Sequence, residues 1–302
     1  MASCSEDFRG IGVINMDKIA SPKKTKEIIS KYQFKFSKSL GQNFLIDENI
    51  LHKIVEGAQV DEEDHVIEVG PGIGSLTQYI ADRAKSVAAL EIDKTLIPIL
   101  QQTLKNYPNV KVINEDVLKA DINKIIEEEF TGKKVKVIAN LPYYVTTPIV
   151  MRFLEEKLPI TSMTIMIQQE VAKRMEAKPA TKDYGALSIA VQYYCQPQII
   201  AKVPPSVFIP QPKVDSIVIR LDILEKPRVQ VKNEKLFFAI VKDAFGKRRK
   251  TLLNALSTGS QGLDKDLLRK VFDTVGIDGK RRGETLSIEE FALLANEIAN
   301  NK

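Results

Sequence analysis

Asn140, Leu141, Pro142 and Tyr143 form a short polar turn directly after the apolar run Lys134-Val-Lys-Val-Ile-Ala139. An asparagine side-chain carbonyl and the next backbone carbonyl can face the two protons of a single amino group. The exocyclic amine of adenine needs such a setting, because its lone pair is delocalised into the ring and the nitrogen is a poor nucleophile. Two acceptors favour a pyramidal nitrogen with its lone pair exposed, so positioning and electrostatics can drive an in-line displacement without an obligatory general base. Pro142 would stiffen the turn, and Tyr143 would stack on a flat base. Read alone, the same four residues are an ordinary turn, since Asn and Pro are turn formers.

A second group changes that balance. Glu68-Val-Gly-Pro-Gly-Ile-Gly74 lies between an apolar run and a helical pattern. Gly70, Gly72 and Gly74 allow a tight turn and close approach of a ligand to the backbone. The spacing is G-x-G-x-G rather than the G-x-G-x-x-G of dinucleotide sites. Glu91 ends the next apolar run, where a carboxylate can accept both hydroxyl protons of a ribose. Asp116, in Asn114-Glu-Asp-Val117, ends the third, where a carboxylate can receive an adenine amino group. Those two acceptors suit a nucleoside without a diphosphate, and S-adenosylmethionine is the cofactor they predict. Otherwise Glu91 and Asp116 are only strand-end caps.

The elements that must position these groups alternate. Strands are predicted at 65–69, 86–92, 110–113, 134–139 and 162–167, and helices at 75–84, 94–106, 122–130 and 148–156. Regular β–α alternation predicts a doubly wound, Rossmann-like, mainly parallel sheet with its ligand crevice at the carboxyl ends of the strands. Before it, helices fit 22–32 and 47–57. After it, 168–175 reads as a helix and 186–194 as a helix or a strand. Pro204–Pro212 reads as a loop near the active face, and 214–221 as the last strand. Beyond Lys226-Pro227 the pattern is purely helical, with candidates at 233–245, 248–257, 264–274 and 287–299. The division is therefore a methyltransferase domain over 16–225 and a small all-helical domain over 226–302. Residues 1–15 carry no periodic pattern and are expected to be a disordered extension.

Composition bounds the remaining possibilities. With 44% hydrophobic and 27% charged residues the chain reads as globular and cytoplasmic, and no apolar run approaches a membrane span. Cys4 and Cys195 with His52 and His65 offer neither a disulfide framework nor metal-ligand spacing, so no metal is expected. The net charge of +5 is mild, but it is clustered: Lys23, Lys24, Lys26, Lys31, Lys35 and Lys38; then Lys247, Arg248, Arg249 and Lys250; then Lys280, Arg281 and Arg282. A charge run alone is a solvated face; three without local acidic answers point to nucleic acid. An adenine N6 in paired RNA sits in a deep, narrow groove, so the target base must be unpaired or flipped out.

Five segments carry a resemblance over nearly the whole chain: Lys38-Ser-Leu-Gly-Gln-Asn-Phe-Leu45, Glu68–Gly74, Asn140–Val145, Val207-Phe-Ile-Pro-Gln-Pro-Lys-Val-Asp-Ser216 and Gly279-Lys-Arg-Arg-Gly-Glu284. The chain resembles the ribosomal RNA small-subunit methyltransferase A family, the adenine dimethyltransferases of bacterial 16S rRNA. The resemblance implies that Gln42, Asn43 and Leu45 close over the methionine end of the cofactor and that Val117 packs on its adenine. It implies that Asn140, Leu141 and Tyr143 hold the target base. Phe208 would stack on that base's other face, although its residue context alone suggests a core anchor. It further implies four methyl transfers onto two adjacent adenines in a hairpin near the 3′ end of the rRNA, within an immature small subunit. Lys247, Arg248, Arg249 and Lys250 would contact RNA phosphates from the helical domain. A monomer is the expected state. Rival readings are a large-subunit rRNA adenine methyltransferase of the antibiotic-resistance type and a non-catalytic ribosome assembly factor.

Overall fold

The apolar runs read as strands do pair into one sheet, and their alternation shows how it is covered. The computed structural model describes residues 18–37 and 39–301; the expected extension over 1–15, Cys4 and Lys38 lie outside them. The chain enters through α1 (Pro22–Lys31), β1 (Phe44–Leu45) and α2 (Glu48–Gly57). It then alternates: β2 (His65–Val69), α3 (Ser75–Ala81), β3 (Ser86–Leu90), α4 (Ile97–Thr103), β4 (Val110–Ile113), α5 (Ile122–Phe130), β5 (Val135–Asn140), α6 (Thr146–Glu155) and β6 (Ile160–Gln168). These five strands are parallel neighbours in the order β4-β3-β2-β5-β6.

Two more helices, α7 (Gln169–Glu176) and α8 (Ala186–Tyr194), lead to β7 (Cys195–Val203), the two-residue β8 (Phe208–Ile209) and β9 (Ser216–Ile223). β9 runs antiparallel between β6 and the edge strand β7. β8 leaves the sheet and pairs antiparallel with β1, setting Phe44 against Ile209 and Leu45 against Phe208. Neither β7 nor the β1–β8 ribbon is foreseen in the sequence, and the segment 186–194 left open there is a helix.

Alternate residues of the central strands feed two cores. Ile67 and Val69 of β2, and Val135, Val137 and Ala139 of β5, face one core, while Val66 and Ile138 face the other. Period-2 burial on both faces is what a parallel sheet between helical layers requires. By the same period Glu68 falls on the Val66 face, buried beneath the glycine turn.

The last part is helical: α9 (Glu234–Gly246), α10 (Leu252–Ser257), α11 (Lys265–Val275) and α12 (Ile288–Asn300). Ser287 and Glu290 form a reciprocal capping box on α12. α10 begins four residues later than the periodicity predicts. Residues 247–250 form a turn, and Thr251 caps the helix by accepting from the Asn254 amide. Four consecutive cations would oppose the positive end of a helix there. Apolar side chains of α9 to α12 continue the core that contains α8 and β9. Among the described residues no helix is long and apolar enough to cross a membrane.

Candidate functional site

The carboxyl ends of β2, β3 and β5 open into a cavity of about 340 Å³. It gathers nearly every residue singled out from the sequence: Gln42, Asn43, Leu45, Gly70, Gly72, Glu91, Asp116, Val117, Asn140, Leu141, Pro142, Tyr143 and Phe208. Gly74 is the exception. Its φ of +92° starts α3, and an added Cβ would stand 3.1 Å from Leu104 Cδ2 and 3.2 Å from Thr103 Oγ1. Gly74 therefore serves the close packing of α3 on α4, outside the cavity wall.

On the β2–β3 side, Gly72 lies against the ring of Phe44 from β1, where an added Cβ would meet Phe44 Cε1 at 3.1 Å. The Gly72 amide also donates to Glu91 Oε2 at 3.2 Å, and the Asp93 amide donates to Glu91 Oε1 at 2.8 Å. Glu91 is buried, and burial holds its carboxyl up at about 7 despite those two amides. Beneath it, complete burial pushes the Glu68 carboxyl up to about 8, with a contribution from Glu91. Thr77 Oγ1 approaches that carboxyl without making a full hydrogen bond, and Glu68 Oε2 has no partner.

Asp116 sits in the turn after β4 and accepts from the Leu118 amide at 2.9 Å, so it caps its own turn while lining the cavity. Arg152 of α6 reaches under that turn and donates to the Val117 and Ala120 carbonyls. A carboxylate at Asp116, an apolar Val117 and the paired acceptors of Glu91 suit an adenosine moiety, and the open space beside Gly70 leaves room for it.

On the β5 side, Asn140 Nδ2 donates to the Asn43 carbonyl at 3.0 Å. That bond sets the orientation of the amide, and Asn140 lines the cavity. Leu141 is held by its own amide, which donates to the Met166 carbonyl at 3.1 Å. Pro142 O accepts from the Val145 amide and from Thr146 Oγ1, closing the turn. Tyr143 Oη and Ser216 Oγ are 2.8 Å apart, which fixes the tyrosine ring against the head of β9. Phe208 is buried in the core, as its residue context suggests, and it also lines the cavity.

A strap over residues 39–45 forms the remaining wall. Gln42 Nε2 donates to Asp93 Oδ2 at 2.6 Å, and Gln42 Oε1 accepts from the Ser37 amide at 2.8 Å. Asp93, Glu68, Arg152 and Ser216 were not foreseen as parts of the site. Of these, only Glu68 and Ser216 fall within the segments that carry the resemblance.

The basic clusters separate on inspection. Arg248 Nη2 donates to the Lys182 and Tyr184 carbonyls at 3.1 and 3.4 Å, and Lys247 Nζ to Thr258. Arg281 is ion-paired with Glu290 and donates to the Thr285 carbonyl, so it serves the fold of the helical part. Arg249 and Lys250 are exposed and make no side-chain hydrogen bond or ion pair among the described residues.

The model of the family described as ribosomal RNA adenine dimethylase matches residues 33–300. A protein of Alkaliphilus oremlandii named ribosomal RNA small subunit methyltransferase A is 72% identical over 94% of this chain and 99% of its own. A relative of the same name from Clostridioides difficile is 56% identical over 95% and 99%. Among solved structures, a dimethyladenosine transferase from Plasmodium falciparum shares the fold, with TM-score 0.72 and 24% identity over 83% of this chain and 95% of that one. The 23S rRNA methyltransferase ErmE aligns with TM-score 0.65 and 27% identity over 85% and 99%.

Proposed function

This chain belongs to the ribosomal RNA adenine dimethylase family, and we propose that its substrate is a pair of adjacent adenines in a hairpin near the 3′ end of 16S rRNA, within an immature small subunit. It is an S-adenosylmethionine-dependent rRNA adenine dimethyltransferase. The cofactor, when bound, supplies a methyl group activated on a sulfonium. Glu91 would accept from the ribose hydroxyls and Asp116 from the adenine amino group, with Val117 against the ring. Gln42, Asn43 and Leu45 would cover the methionine end.

Catalysis then falls to the 140–143 turn. Asn140 Oδ1 and the Leu141 carbonyl accept the two N6 protons of the target adenine, and the lone pair turns toward the methyl donor. Tyr143 and Phe208 stack on the extruded base and replace the contacts it loses, each stack being worth about 1–3 kcal/mol. After transfer, N6 carries an excess proton and is acidic enough to lose it to water. Repetition gives N6,N6-dimethyladenosine, four transfers in all for two adenines. We assign RNA docking to the helical part, residues 226–302, with Arg249 and Lys250 on phosphates. The chain acts as a monomer in the cytoplasm in this reading.

The observation that supports the proposal is the Asn140 amide nitrogen on the Asn43 carbonyl, because it leaves the side-chain oxygen as the atom to meet a substrate amine. The test is transfer of labelled methyl groups to immature small subunits, with large subunits and an Asn140→Ala variant alongside. Label as N6,N6-dimethyladenosine in small-subunit RNA alone, lost with the variant, is the expected result. Label in large-subunit RNA would move the substrate to the resistance type, and binding without label would make the chain an assembly factor.

A further inference from the structure

One aromatic side chain at the site, Tyr144, has no role in the proposed methyl transfer. Among the described residues the exposed large apolar side chains are Ile92, Leu118, Tyr144, Val214 and Leu293. Three of them, Ile92, Leu118 and Tyr144, lie on the wall of the single cavity that holds the site. Exposed apolar groups scattered singly mean little, but a concentration at the mouth of a pocket marks a binding surface. Ile92 and Leu118 adjoin Glu91 and Val117, in the half assigned to the cofactor, which would cover them. Tyr144 stands at the other end, next to Tyr143, and is 58% exposed.

Its seat is defined. An added Cβ on Gly41 would lie 3.5 Å from Tyr144 Cδ1 and Cε1 and 3.4 Å from Pro142 Cβ. One edge of the ring therefore rests on the strap at Gly41, whose φ is +58°. The hydroxyl makes no hydrogen bond among the described residues, so nothing ties the ring to a structural partner on its outer side. By contrast, the Tyr143 hydroxyl is anchored on Ser216. A stiff ring, supported on one edge and open on the rest, at the lip of a pocket for a flat base has the properties of a stacking platform.

We infer that Tyr144 stacks on the nucleotide next to the target adenine in the RNA chain, an outer subsite that favours a purine there. The inference rests on the proposed function. Extruding one base strips a stacking partner from its neighbour as well, and Tyr143 and Tyr144, consecutive in sequence, meet the inserted base and its neighbour in turn. With two adjacent adenines as substrate, the platform meets the neighbour on its own side of the target, so one adenine occupies the outer subsite while the other is methylated.

The test pairs a change in the protein with a change in the RNA. Wild type, Tyr144→Ala and Tyr144→Phe are compared on reconstituted small subunits. One rRNA carries both adenines and the other an abasic nucleotide beside the target. On intact rRNA, Tyr144→Ala raises KM by about tenfold, the loss of one base stack, with kcat and cofactor Kd little changed. Tyr144→Phe, which keeps the ring, restores the KM. On the abasic rRNA the KM values of wild type and Tyr144→Ala converge. An equal penalty for Tyr144→Ala on both RNAs, or a Phe variant as poor as the Ala variant, overturns the outer subsite. Absence of transfer by wild type on intact subunits removes the proposed function itself, a different failure.

Discussion

The side-chain amide of Asn140 donates to the backbone carbonyl of Asn43 at 3.0 Å, although the two residues are 97 apart in the chain. One N–H of the amide is thus engaged by the strap, which leaves the oxygen as the acceptor of a side chain that lines the cavity. The strap is itself held by Gln42 on Asp93, beside the Glu91 carboxylate. Orientation of the Asn140 amide, the proposed acceptor for the substrate amine, therefore depends on the strap proposed to cover the cofactor.

Asn140→Asp tests this dependence. The carboxylate keeps an acceptor but loses the donor, and it faces the Asn43 carbonyl with like polarity. Loss of one preorganised group of this kind costs about 10²–10³ in kcat. We expect a loss of that order for Asn140→Asp and Asn140→Ala alike, in single-turnover methyl transfer. Near-wild-type turnover by the Asp variant would show that the Asn43 contact does not matter.

Tyr143 and Ser216 share the hydrogen bond that fixes the ring proposed to stack on the target base. Tyr143→Phe and Ser216→Ala each break it, at about 1 kcal/mol and so about fivefold in kcat/KM. The double variant should lose no more than either single one, because there is one bond to lose. Multiplying losses would mean that the two side chains act separately.

The two raised carboxyls give a pH dependence with a definite sign. Glu91 and Glu68 titrate near 4.5 when unfolded, but burial raises them to about 7 and about 8 in the fold. Between those limits the folded chain binds more protons than the unfolded one, so stability is full below pH 4.5 and declines as pH rises through 7 and 8. The Tm of the cofactor-free protein should fall over that range, and Glu68→Gln should flatten the fall. Cofactor affinity should move the other way, rising between pH 6 and 8 as Glu91 ionises and becomes a stronger acceptor. Glu91→Gln should abolish that rise; a wild-type affinity flat with pH would count against Glu91 on the ribose.

Salt dependence separates the cations of the 247–250 turn. Each phosphate contact on an RNA contributes about 0.7–0.9 to the slope of log affinity against log salt. Arg249→Ala and Lys250→Ala should each lower the slope by about that amount. Arg248→Ala should instead lower the Tm, since Arg248 holds the loop at Lys182 and Tyr184. A slope change for Arg248→Ala equal to the others would return it to the RNA surface.

Much of this was legible in the residues. β5 followed by Asn-Leu-Pro-Tyr, and β2 followed by the glycine turn, follow from apolar runs ending in turn formers, and the carboxylates follow from their places after the next two strands. What escaped has physical reasons. β7 follows α8 with no turn residue between and contains Pro197, which only an edge strand tolerates. β1 and β8 are two residues each, too short for any period, and exist through a pairing between distant parts of the chain. The bonds of Asp93 to Gln42, of Arg152 to the Val117 and Ala120 carbonyls, and of Arg248 to the Lys182 and Tyr184 carbonyls are likewise set by tertiary approach.

That distant pairing also fixes when the enzyme can come into being during its synthesis. Phe44 and Leu45 emerge early from the ribosome, but their partners Phe208 and Ile209 are made only after more than half of the 302 residues. Closing so long a loop is costly before other contacts hold its ends together. A nascent chain that already carries the glycine turn, Glu91 and Asn140 still lacks the ribbon that holds Phe208 against the strap. The last wall of the pocket is therefore set in place only after Phe208 and Ile209 have been made.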